Sequence, residues 1–344
     1  MQWAGGFAIA VAGVALILGP GAARATASSL GQTNMPDRDI LSSTRAQARR
    51  LLKVYLAITA LAVAVFMPLF PTWWEATAIA LTAVSTGGMT PRPDSLASYS
   101  RLAQAATMVA CLATAVSLMA YVEARRSGVR TALRQTNAAL VLALALGTAS
   151  VAGGLTLALG DGLEAGADAA LNTLSGVTTA GFSVAPIGPA PAVMALIVGA
   201  MLVGGGAGST AGGLKVERVA LLARMVGVTL LRLRAPPGAV ATLQLQGERV
   251  PAERLTALGA VLFLYAGSAM VCWVALTAGG IDPLPALFDT VSALSTVGLS
   301  LGAAGPDLAW PLKLVLAAAM LLGRLDFLVL IAVLSPGTWA PRHK

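Results

Sequence analysis

The chain has 344 residues, of which 57% are hydrophobic and 11% are charged, and it carries a formal net charge of +8. Soluble domains carry about 25% charged residues, so this composition excludes a water-soluble protein and predicts an all-α integral membrane protein. The length allows about seven or eight membrane helices with short connections, which leaves no room for a separate soluble domain.

Seven apolar stretches separated by charged connections predict the membrane helices. The fifth stretch is interrupted by a run of small residues. In chain order the stretches are Trp3–Pro20, Leu52–Phe70, Leu102–Tyr121, Ala138–Leu159, Pro191–Leu231, Leu255–Ala278 and Leu308–Leu334.

The charges of the connections predict which helix ends face the cytoplasm. Basic residues concentrate in residues 24–53, 125–134 and 232–254 and in the C-terminal tail. By the positive-inside rule these segments are cytoplasmic, which predicts a multi-pass protein of the cell (inner) membrane. The net charge then reflects this topology and contact with the lipid bilayer, and no nucleic-acid partner is expected. Against Arg92 and Arg101, the outer connections carry the acidic residues Glu75, Asp94, Asp161, Glu164, Asp168, Asp282, Asp289 and Asp307.

No cluster of residues predicts catalysis. Cys111 and Cys272 lie in apolar stretches, where a cysteine is a buried small hydrophobic residue, and the single histidine, His343, lies in the C-terminal tail. No nucleophile, base and orienting residue fall into one polar cluster, so we expect a protein that is not an enzyme and binds no cofactor itself.

One nine-residue pattern, [ST]-[AG]-[VL]-[ST]-Thr-x-Gly-apolar-[ST], occurs three times. It is TAVSTGGMT at Thr82–Thr90, SGVTTAGFS at Ser175–Ser183 and SALSTVGLS at Ser292–Ser300. Each copy lies in an outer connection between two predicted membrane helices. A single Thr-x-Gly is also compatible with a simple turn, but three copies at equivalent places in the topology favour one shared role.

About a dozen moderately apolar residues precede the loop in each copy, at Trp74–Ser85, Ala167–Thr178 and Pro285–Ser295. A dozen helical residues rise only about 18 Å, roughly half the thickness of the hydrocarbon layer, so these segments cannot cross it. We expect half-helices that enter from outside and return. Their non-helical backbone at membrane depth must be buried in protein or line a water-filled path, so the repeats predict a pore.

The chemistry of the repeated loop suits a cation. A dehydrated ion needs oxygen ligands, and backbone carbonyls provide them where Gly88, Gly181 and Gly298 have no Cβ to obstruct the approach. The half-helices end at the loops, so the negative ends of their dipoles favour a cation over an anion. The threonine hydroxyls of the three loops either add ligands or hold the local backbone.

A glycine-rich segment at residues 204–213 interrupts the fifth stretch, with the sequence GGGAGSTAGG. Each glycine costs a helix on the order of 1 kcal/mol relative to alanine, so the helix is expected to break there. The alternative is close helix packing, since small residues also line helix interfaces in membranes. Lys215 either belongs to this break or pairs with Glu217 at its cytoplasmic end.

Arg324 lies in the last apolar stretch, in the motif MLLGRLDFL at Met320–Leu328. An ionised side chain inside the membrane is expensive and by default faces a cavity or a partner, so we expect Arg324 to face the ion path. The alternatives are a neutralising pair with Asp326 and a side chain that extends to the inner surface.

These motifs resemble the TrkH/KtrB/HKT superfamily of bacterial, fungal and plant potassium transporters, and the resemblance covers almost the whole chain. In that family four helix, pore-helix, helix repeats surround one pore. STGGM looks like the second filter loop, TTAGFS like the third and STVGLS like the fourth. The resemblance implies that K⁺, the transported ion, binds backbone carbonyls of Thr86, Gly87, Gly88, Thr179, Ala180, Gly181, Thr296, Val297 and Gly298.

The stretch GGGAGSTAGGLKVER at Gly204–Arg218 resembles the family's glycine-rich break, an intramembrane loop below the filter that acts as a gate. MLLGRLDFL resembles the final-helix motif with an arginine near the pore. The resemblance therefore implies gate residues at Gly204, Gly205, Gly206, Gly208, Ser209, Thr210, Gly212, Gly213 and Lys215.

The resemblance divides the chain into repeats, of which the first is incomplete. Trp3, Gly5 and Gly6 resemble the start of that repeat's second helix, so its outer helix, pore helix and filter loop are expected to be missing; a cleaved signal peptide ending near Ala23–Ala25 is the alternative. Three loops would leave one quadrant of the pore open, so we expect the chain as given not to conduct selectively alone. The expected divisions are residues 1–22 for the incomplete repeat, 23–50 for a cytoplasmic linker, 51–122, 137–234 and 255–334 for repeats two to four, and 335–344 for a tail.

Two functions remain open from the sequence. One is a membrane subunit for uptake of potassium or another monovalent cation, and the other is a truncated, non-conducting membrane protein or scaffold with the same fold. The resemblance further implies a homodimer and a separate cytosolic regulatory subunit that binds NAD(H) or ATP and docks on the basic inner face.

Overall fold

The computed structural model describes residues 1–17, 37–188, 190–234, 244–245, 248–249, 252–324 and 327. These residues are predominantly helical, which confirms the all-α class. The helices are α1 (Gln2–Ile17), α2 (Asp37–Phe66), α3 (Trp73–Val84), α4 (Arg101–Ala115), α5 (Leu118–Ser127), α6 (Val129–Gln135), α7 (Ala138–Ala158), α8 (Gly162–Thr178), α9 (Pro191–Val203), α10 (Val216–Arg234), α11 (Ala252–Ala278), α12 (Pro283–Leu294) and α13 (Trp310–Arg324). The strands β1 (Gln244–Leu245) and β2 (Glu248–Arg249) form a short antiparallel pair.

Two described helices are individually long and apolar enough to cross a membrane, namely α7 and residues Leu255–Ala278 of α11. Helices α4 and α5 together satisfy the same criterion as a pair bent by 76°, and α9 is a shorter apolar helix. The other predicted stretches give shorter or more polar helices within the described residues.

The three predicted half-helices are present as α3, α8 and α12. Helices α3 and α12 contain 12 residues each, and α8 contains 17 because it begins at Gly162, five residues before the predicted start. Helix α3 begins at a cap in which the Thr72 hydroxyl accepts a hydrogen bond from the Glu75 amide at 3.2 Å. A hydroxyl cap satisfies one of the amides that a helix start leaves free.

The predicted continuous helix Leu102–Tyr121 is wrong in one respect, because the chain bends between α4 and α5. Val116 has an extended backbone, with φ −73° and ψ 145°. The Ala115 carbonyl and the Leu118 amide are thereby free for partners outside the helix, and the glycine-rich segment supplies both. The short helix α6 and the strand pair were not expected from the sequence.

The chain forms two compact units, one of residues 1–200 with 205–211 and the other of residues 201–204 with 212–344. In the first unit, a core that includes Tyr55, Phe66 and Phe182 packs between α2, α3 and the chain after α8. In the second unit, the core includes Leu276, Leu294 and Leu316 from α11, α12 and α13. The division between the units falls inside the glycine-rich segment.

Candidate cation filter and glycine-rich segment

The three candidate filter loops, Thr86–Gly88, Thr179–Gly181 and Thr296–Gly298, have the same unusual backbone. The threonines have φ values of 50°, 52° and 53°, and the glycines have φ values of 68°, 80° and 95°. Positive φ is uncommon for residues other than glycine and disfavoured for a β-branched one. Three threonines in this conformation at equivalent positions show that the sequence repeat is also a structural repeat.

The same hydrogen bond closes each half-helix before its loop. The residue between the threonine and the glycine donates its amide hydrogen to the carbonyl five residues earlier. These bonds are Gly87 N to Thr82 O at 2.8 Å, Ala180 N to Ser175 O at 3.1 Å and Val297 N to Ser292 O at 2.9 Å. Each helix therefore ends at the motif, and the backbone beyond it leaves the helical path.

In the first unit, the second and third repeats bring their loops into direct contact. A Cβ atom on Gly88 would overlap the carbonyl oxygen of Ala180 and lie 3.0 Å from the carbonyl carbon of Gly181. The chain segments beyond the loops also pair, since the Leu96 amide donates to the Ser183 carbonyl at 2.9 Å and the Ser183 amide donates to the Ser95 hydroxyl at 3.1 Å. The two loops therefore pack backbone to backbone within the first unit.

Helix α1 also contacts the loop of the second repeat. Gln2 Nε2 donates a hydrogen bond of 2.9 Å to the Gly87 carbonyl, and a Cβ atom on Gly6 would lie 3.0 Å from that of Ser85. An ion at the Gly87 carbonyl would therefore have to compete with the Gln2 amide.

The last hydroxyl of each motif holds the chain that leaves the loop. Thr90 Oγ1 donates to the Arg92 carbonyl and Ser183 Oγ to the Ala185 carbonyl, both at 2.8 Å, and Ser300 Oγ donates to Asp289 Oδ2 at 2.6 Å. These hydroxyls therefore fix the loop exits.

The hydroxyl of Thr296, inside the fourth-repeat loop, differs from these exit hydroxyls in its hydrogen bonding. Thr296 Oγ1 is buried and has no hydrogen-bond partner among the described residues. The first hydroxyl of the same motif, Ser292 Oγ, accepts a hydrogen bond of 3.1 Å from the Gly298 amide. A buried, unpartnered oxygen in this loop is suited to a bound cation, because leaving it without a partner is unfavourable.

Two positioning residues were missed by sequence reasoning, Asn172 in α8 and Asp289 in α12. Asp289 was counted only among the acidic residues of the outer connections, and the structure buries it at 3% exposure. It accepts hydrogen bonds from the amides of Leu301 and Ala304 at 2.9 and 2.7 Å, in addition to that from Ser300. Both residues stand seven positions before their filter threonine, and this shared spacing is the signal that would have identified them.

An ion pair holds the exit of the second-repeat loop. Arg92 Nε lies 3.2 Å from Glu75 Oε1, at the start of α3, and its guanidinium lies 4.5 Å from the centre of the Tyr99 ring. The hydrogen bond to Glu75 raises the pKa of Arg92, and burial raises the pKa of Tyr99. Arg92 therefore binds Glu75 and Tyr99, which flank the second-repeat loop in the chain.

In the first unit, the glycine-rich segment occupies the bend between α4 and α5. The Gly206 amide donates to the Ala115 carbonyl at 2.9 Å, and the Leu118 amide donates to the Gly208 carbonyl at 3.1 Å. Thr210 Oγ1 lies 3.4 Å from the carbonyls of both Val84 and Thr114. The segment therefore lies directly beneath the end of half-helix α3, as non-helical backbone.

In the second unit, the ends of the glycine-rich segment close on each other and contact the fourth-repeat loop. The Leu214 and Lys215 amides donate to the Leu202 and Val203 carbonyls, both at 3.0 Å. A Cβ atom on Gly212 would overlap the Ser295 carbonyl oxygen and the Thr296 hydroxyl. The predicted break between α9 and α10 is present, and Lys215, with φ of 77°, ends it.

Arg324 is the last residue of α13 and is half-buried. The residue before it, Gly323, packs so closely on α12 that a Cβ atom would overlap the Leu294 carbonyl oxygen. The alternative partner of Arg324, Asp326, lies outside the described residues.

The fold and these loops define a predominantly helical membrane protein with repeated re-entrant half-helices. A family model described as cation transport protein, TrkH, matches residues 161–336. The potassium uptake protein TrkH of Halomonas elongata is 28% identical over 98% of this chain and 72% of its own length. An uncharacterized cation transporter of Methanocaldococcus jannaschii is 27% identical over 97% of this chain and 69% of its own length.

The structural comparison agrees with the sequence comparison. The crystal structure of the potassium transporter TrkH from Vibrio parahaemolyticus matches with a TM-score of 0.83 and 27% identity, over 98% of this chain and 71% of that one. The chain belongs to the TrkH family of cation transport proteins. The resemblance noted from the filter motifs is therefore confirmed, while the repeat boundaries and the individual filter and gate residues stay predictions.

Proposed function

We propose that this chain is the membrane subunit of a potassium uptake system and selects the ion with backbone carbonyls of the candidate filter loops. The observation that carries the proposal is the shared geometry of the three loops, each with a threonine and a glycine at positive φ after a half-helix. The relatives are transporters by name, and the Halomonas elongata protein is named for potassium uptake.

Three features support a cation as cargo. Each half-helix ends at its own loop, so the negative end of its dipole faces that loop. In the first unit Gly88 lies against the Ala180–Gly181 backbone, and in the second unit the Thr296 hydroxyl is buried without a partner among the described residues. Carbonyl and hydroxyl oxygens of such loops can replace the water that a monovalent cation loses on entry.

The glycine-rich segment is proposed as the gate. Its residue Thr210 lies beside the end of α3 within the first unit, and its residue Gly212 lies beside the end of α12 within the second. Non-helical backbone of this kind is tolerated at membrane depth only where protein buries it or a water path exists. Arg324 is proposed to limit cation passage by its charge. A homodimer, an inner-membrane location with the loops outside, and a cytosolic nucleotide-binding subunit docked on the basic connections complete the proposal.

The test measures rubidium uptake, driven by a potassium gradient, into liposomes that contain the purified protein. The measurement is then repeated with external potassium or sodium as the competing ion. Uptake that potassium blocks and sodium does not would support the proposal, and it would overturn the expectation from the sequence that the chain does not conduct selectively alone. An absence of flux from protein that is folded by circular dichroism would favour the alternative, a non-conducting scaffold. The Gln2 hydrogen bond to the Gly87 carbonyl is the observation that favours that alternative.

A further inference from the structure

Asn172 and Asp289 occupy the same place in two repeats, but they meet opposite arrangements of backbone groups. Each lies on a half-helix seven residues before the filter threonine, and each is almost fully buried, at 2% and 3% exposure. Each side chain reaches the chain that leaves its own filter loop. The corresponding residue of the second repeat, Ile79, is apolar and buried.

The exit of the third-repeat loop presents one donor and one acceptor to Asn172. The Val184 amide donates to Asn172 Oδ1 at 3.0 Å, and Asn172 Nδ2 donates to the Ala185 carbonyl at 3.0 Å. An amide side chain has both a donor and an acceptor, so asparagine satisfies both groups. A carboxylate would place an oxygen against the Ala185 carbonyl.

The exit of the fourth-repeat loop presents three donors to Asp289. They are the Ser300 hydroxyl at 2.6 Å and the amides of Leu301 at 2.9 Å and Ala304 at 2.7 Å. An ionised carboxylate accepts all three, whereas an asparagine would turn its NH₂ group toward at least one N–H or O–H donor. Hydrogen bonds to an ionised acceptor are stronger than neutral ones, so this exit is held more firmly.

Resting on the proposed function, we propose that Asn172 and Asp289 are a matched pair of positioning residues that set the geometry, and hence the ion selectivity, of the third and fourth filter loops. Each forms hydrogen bonds to the chain segment that follows its filter glycine. The neutral Asn172 matches one donor and one acceptor at the third-repeat exit, and the acidic Asp289 matches three donors at the fourth-repeat exit. The filter is thus supported differently in each repeat, with Arg92 and Glu75 at the exit in the second.

The test compares the Asp289→Asn variant with the wild type for potassium over sodium selectivity in the liposome flux assay. We expect the selectivity ratio to fall about fivefold, because one or more donors lose their partner and the loop exit moves. The matched control is Asp282→Asn, which makes the same charge change at the exposed N-cap of the same half-helix, where the side chain makes no capping hydrogen bond. We expect it to keep the wild-type ratio.

Two further variants decide the outcome if Asp289→Asn does not accumulate as folded protein. Ser300→Ala removes one of the three donors and keeps the carboxylate, so we expect a smaller shift in the same direction. Asn172→Asp creates the opposite mismatch in the third repeat and is expected to lower the ratio as well.

The selectivity ratio separates positioning from a purely structural role, which would reduce total flux and leave the ratio unchanged. An unchanged selectivity ratio in folded Asp289→Asn, or in both Ser300→Ala and Asn172→Asp, would overturn the positioning proposal. If the wild type is potassium-selective in the same assay, the proposed function is upheld. An equal loss in Asp282→Asn would also overturn it, since charge alone would then explain the effect. A wild type that does not select potassium overturns the proposed function and this proposal with it.

Discussion

Gly298 and Gly280 both lie in the predicted fourth repeat at positive φ, 95° and 88° respectively. Among the described residues, neither has an atom within 4 Å of the position that a Cβ would take. A side chain at either site therefore meets the same strain, about 1–2 kcal/mol, and no clash. The two glycines differ in place, because only Gly298 belongs to a candidate filter loop.

We predict that Gly298→Ser lowers potassium over sodium selectivity while the protein still inserts and folds. The physical reason is that a residue other than glycine shifts the backbone away from positive φ and moves the adjacent carbonyls. Rubidium uptake in competition with each ion measures the effect. Gly280→Ser, in the turn between α11 and α12, is the matched control and should retain the wild-type ratio; the same loss in both variants would count against the filter assignment.

Thr296 allows a second test at the residue level. Its hydroxyl is buried without a partner among the described residues, so Thr296→Val removes no protein hydrogen bond and is expected to leave stability unchanged or slightly raised. If the hydroxyl is an ion ligand, the KM for potassium rises. Thr173→Val is the control, because that hydroxyl donates to the Ala169 carbonyl at 2.7 Å inside its own half-helix. A KM that is unchanged in Thr296→Val would exclude the hydroxyl as a ligand.

Sequence reasoning at this scale identified the loop residues but not their supports. The glycines and threonines stood out because they recur in a hydrophobic chain. Asp289 was grouped with the acidic residues of the outer connections, since charge patterning shows only which face of the membrane a residue is near. Its burial depends on three donors brought together by the folded loop exit. That arrangement is not visible in a linear pattern.

Most half-helix and span positions followed from hydrophobicity and length. The exceptions have physical causes. Helix α8 begins earlier than expected because the five added residues include Glu164 and two glycines, Gly162 and Gly166, which lower the local hydrophobicity and helix propensity without preventing a helix. The bend at Val116 lies within an apolar stretch and is stabilised by hydrogen bonds to Gly206 and Gly208, about 90 residues later in the chain.

Adjacent glycines in α7 show how closely two helices approach. A Cβ atom on Gly153 would lie 3.0 Å from the Gly166 carbonyl oxygen of α8, whereas a Cβ atom on Gly154 would have no described residue within 4 Å. Small residues at a helix contact allow this approach in membrane proteins. The same substitution at Gly153 and at Gly154 therefore separates the effect of helix packing on stability from the effect of helix propensity.

We predict that Gly153→Val destabilises the protein by about 1–3 kcal/mol, because the side chain forces α7 and α8 apart. Gly154→Val makes the same chemical change one residue later, on the exposed side of α7, and is expected to be close to neutral. Thermal unfolding in detergent, followed by size-exclusion fluorescence, compares the two. Equal midpoints would show that α7 and α8 do not pack through Gly153.

The glycine-rich segment provides a prediction about gating. Deleting residues 206–209 removes the hydrogen bonds that tie this segment to α4 and α5, namely Gly206 to Ala115 and Leu118 to Gly208. If the segment is a barrier, potassium flux should rise several-fold and depend less on any regulatory subunit. Thr210→Val should raise flux less, and Thr210→Ser, which keeps the hydroxyl, should behave as wild type. Unchanged flux in the folded deletion variant would assign the segment to packing.

At the scale of the whole chain, family membership and the charge distribution both agree with a multi-pass membrane protein. The family model covers residues 161–336, and the relatives align over nearly all of the chain. The exposed end of α5 is basic, with Arg125 and Arg126 in its last turn, whereas residues 89–100, after the first candidate filter loop, contain one basic residue, Arg92, which pairs with Glu75. From the positive-inside rule we expect these two regions to lie on opposite sides of the membrane.

The last prediction tests this topology directly with single cysteines. Ser98 lies in the connection after the second-repeat loop and Ser127 at the end of α5, and both are exposed. The native Cys111 and Cys272 are buried, so they should react little with a membrane-impermeant maleimide. We expect Ser98→Cys to be labelled in intact cells and Ser127→Cys only after the membrane is permeabilised. The unsubstituted protein gives the background. Labelling of Ser127→Cys in intact cells would reverse the orientation and place the candidate filter loops on the cytoplasmic side, where they could not receive an ion from outside.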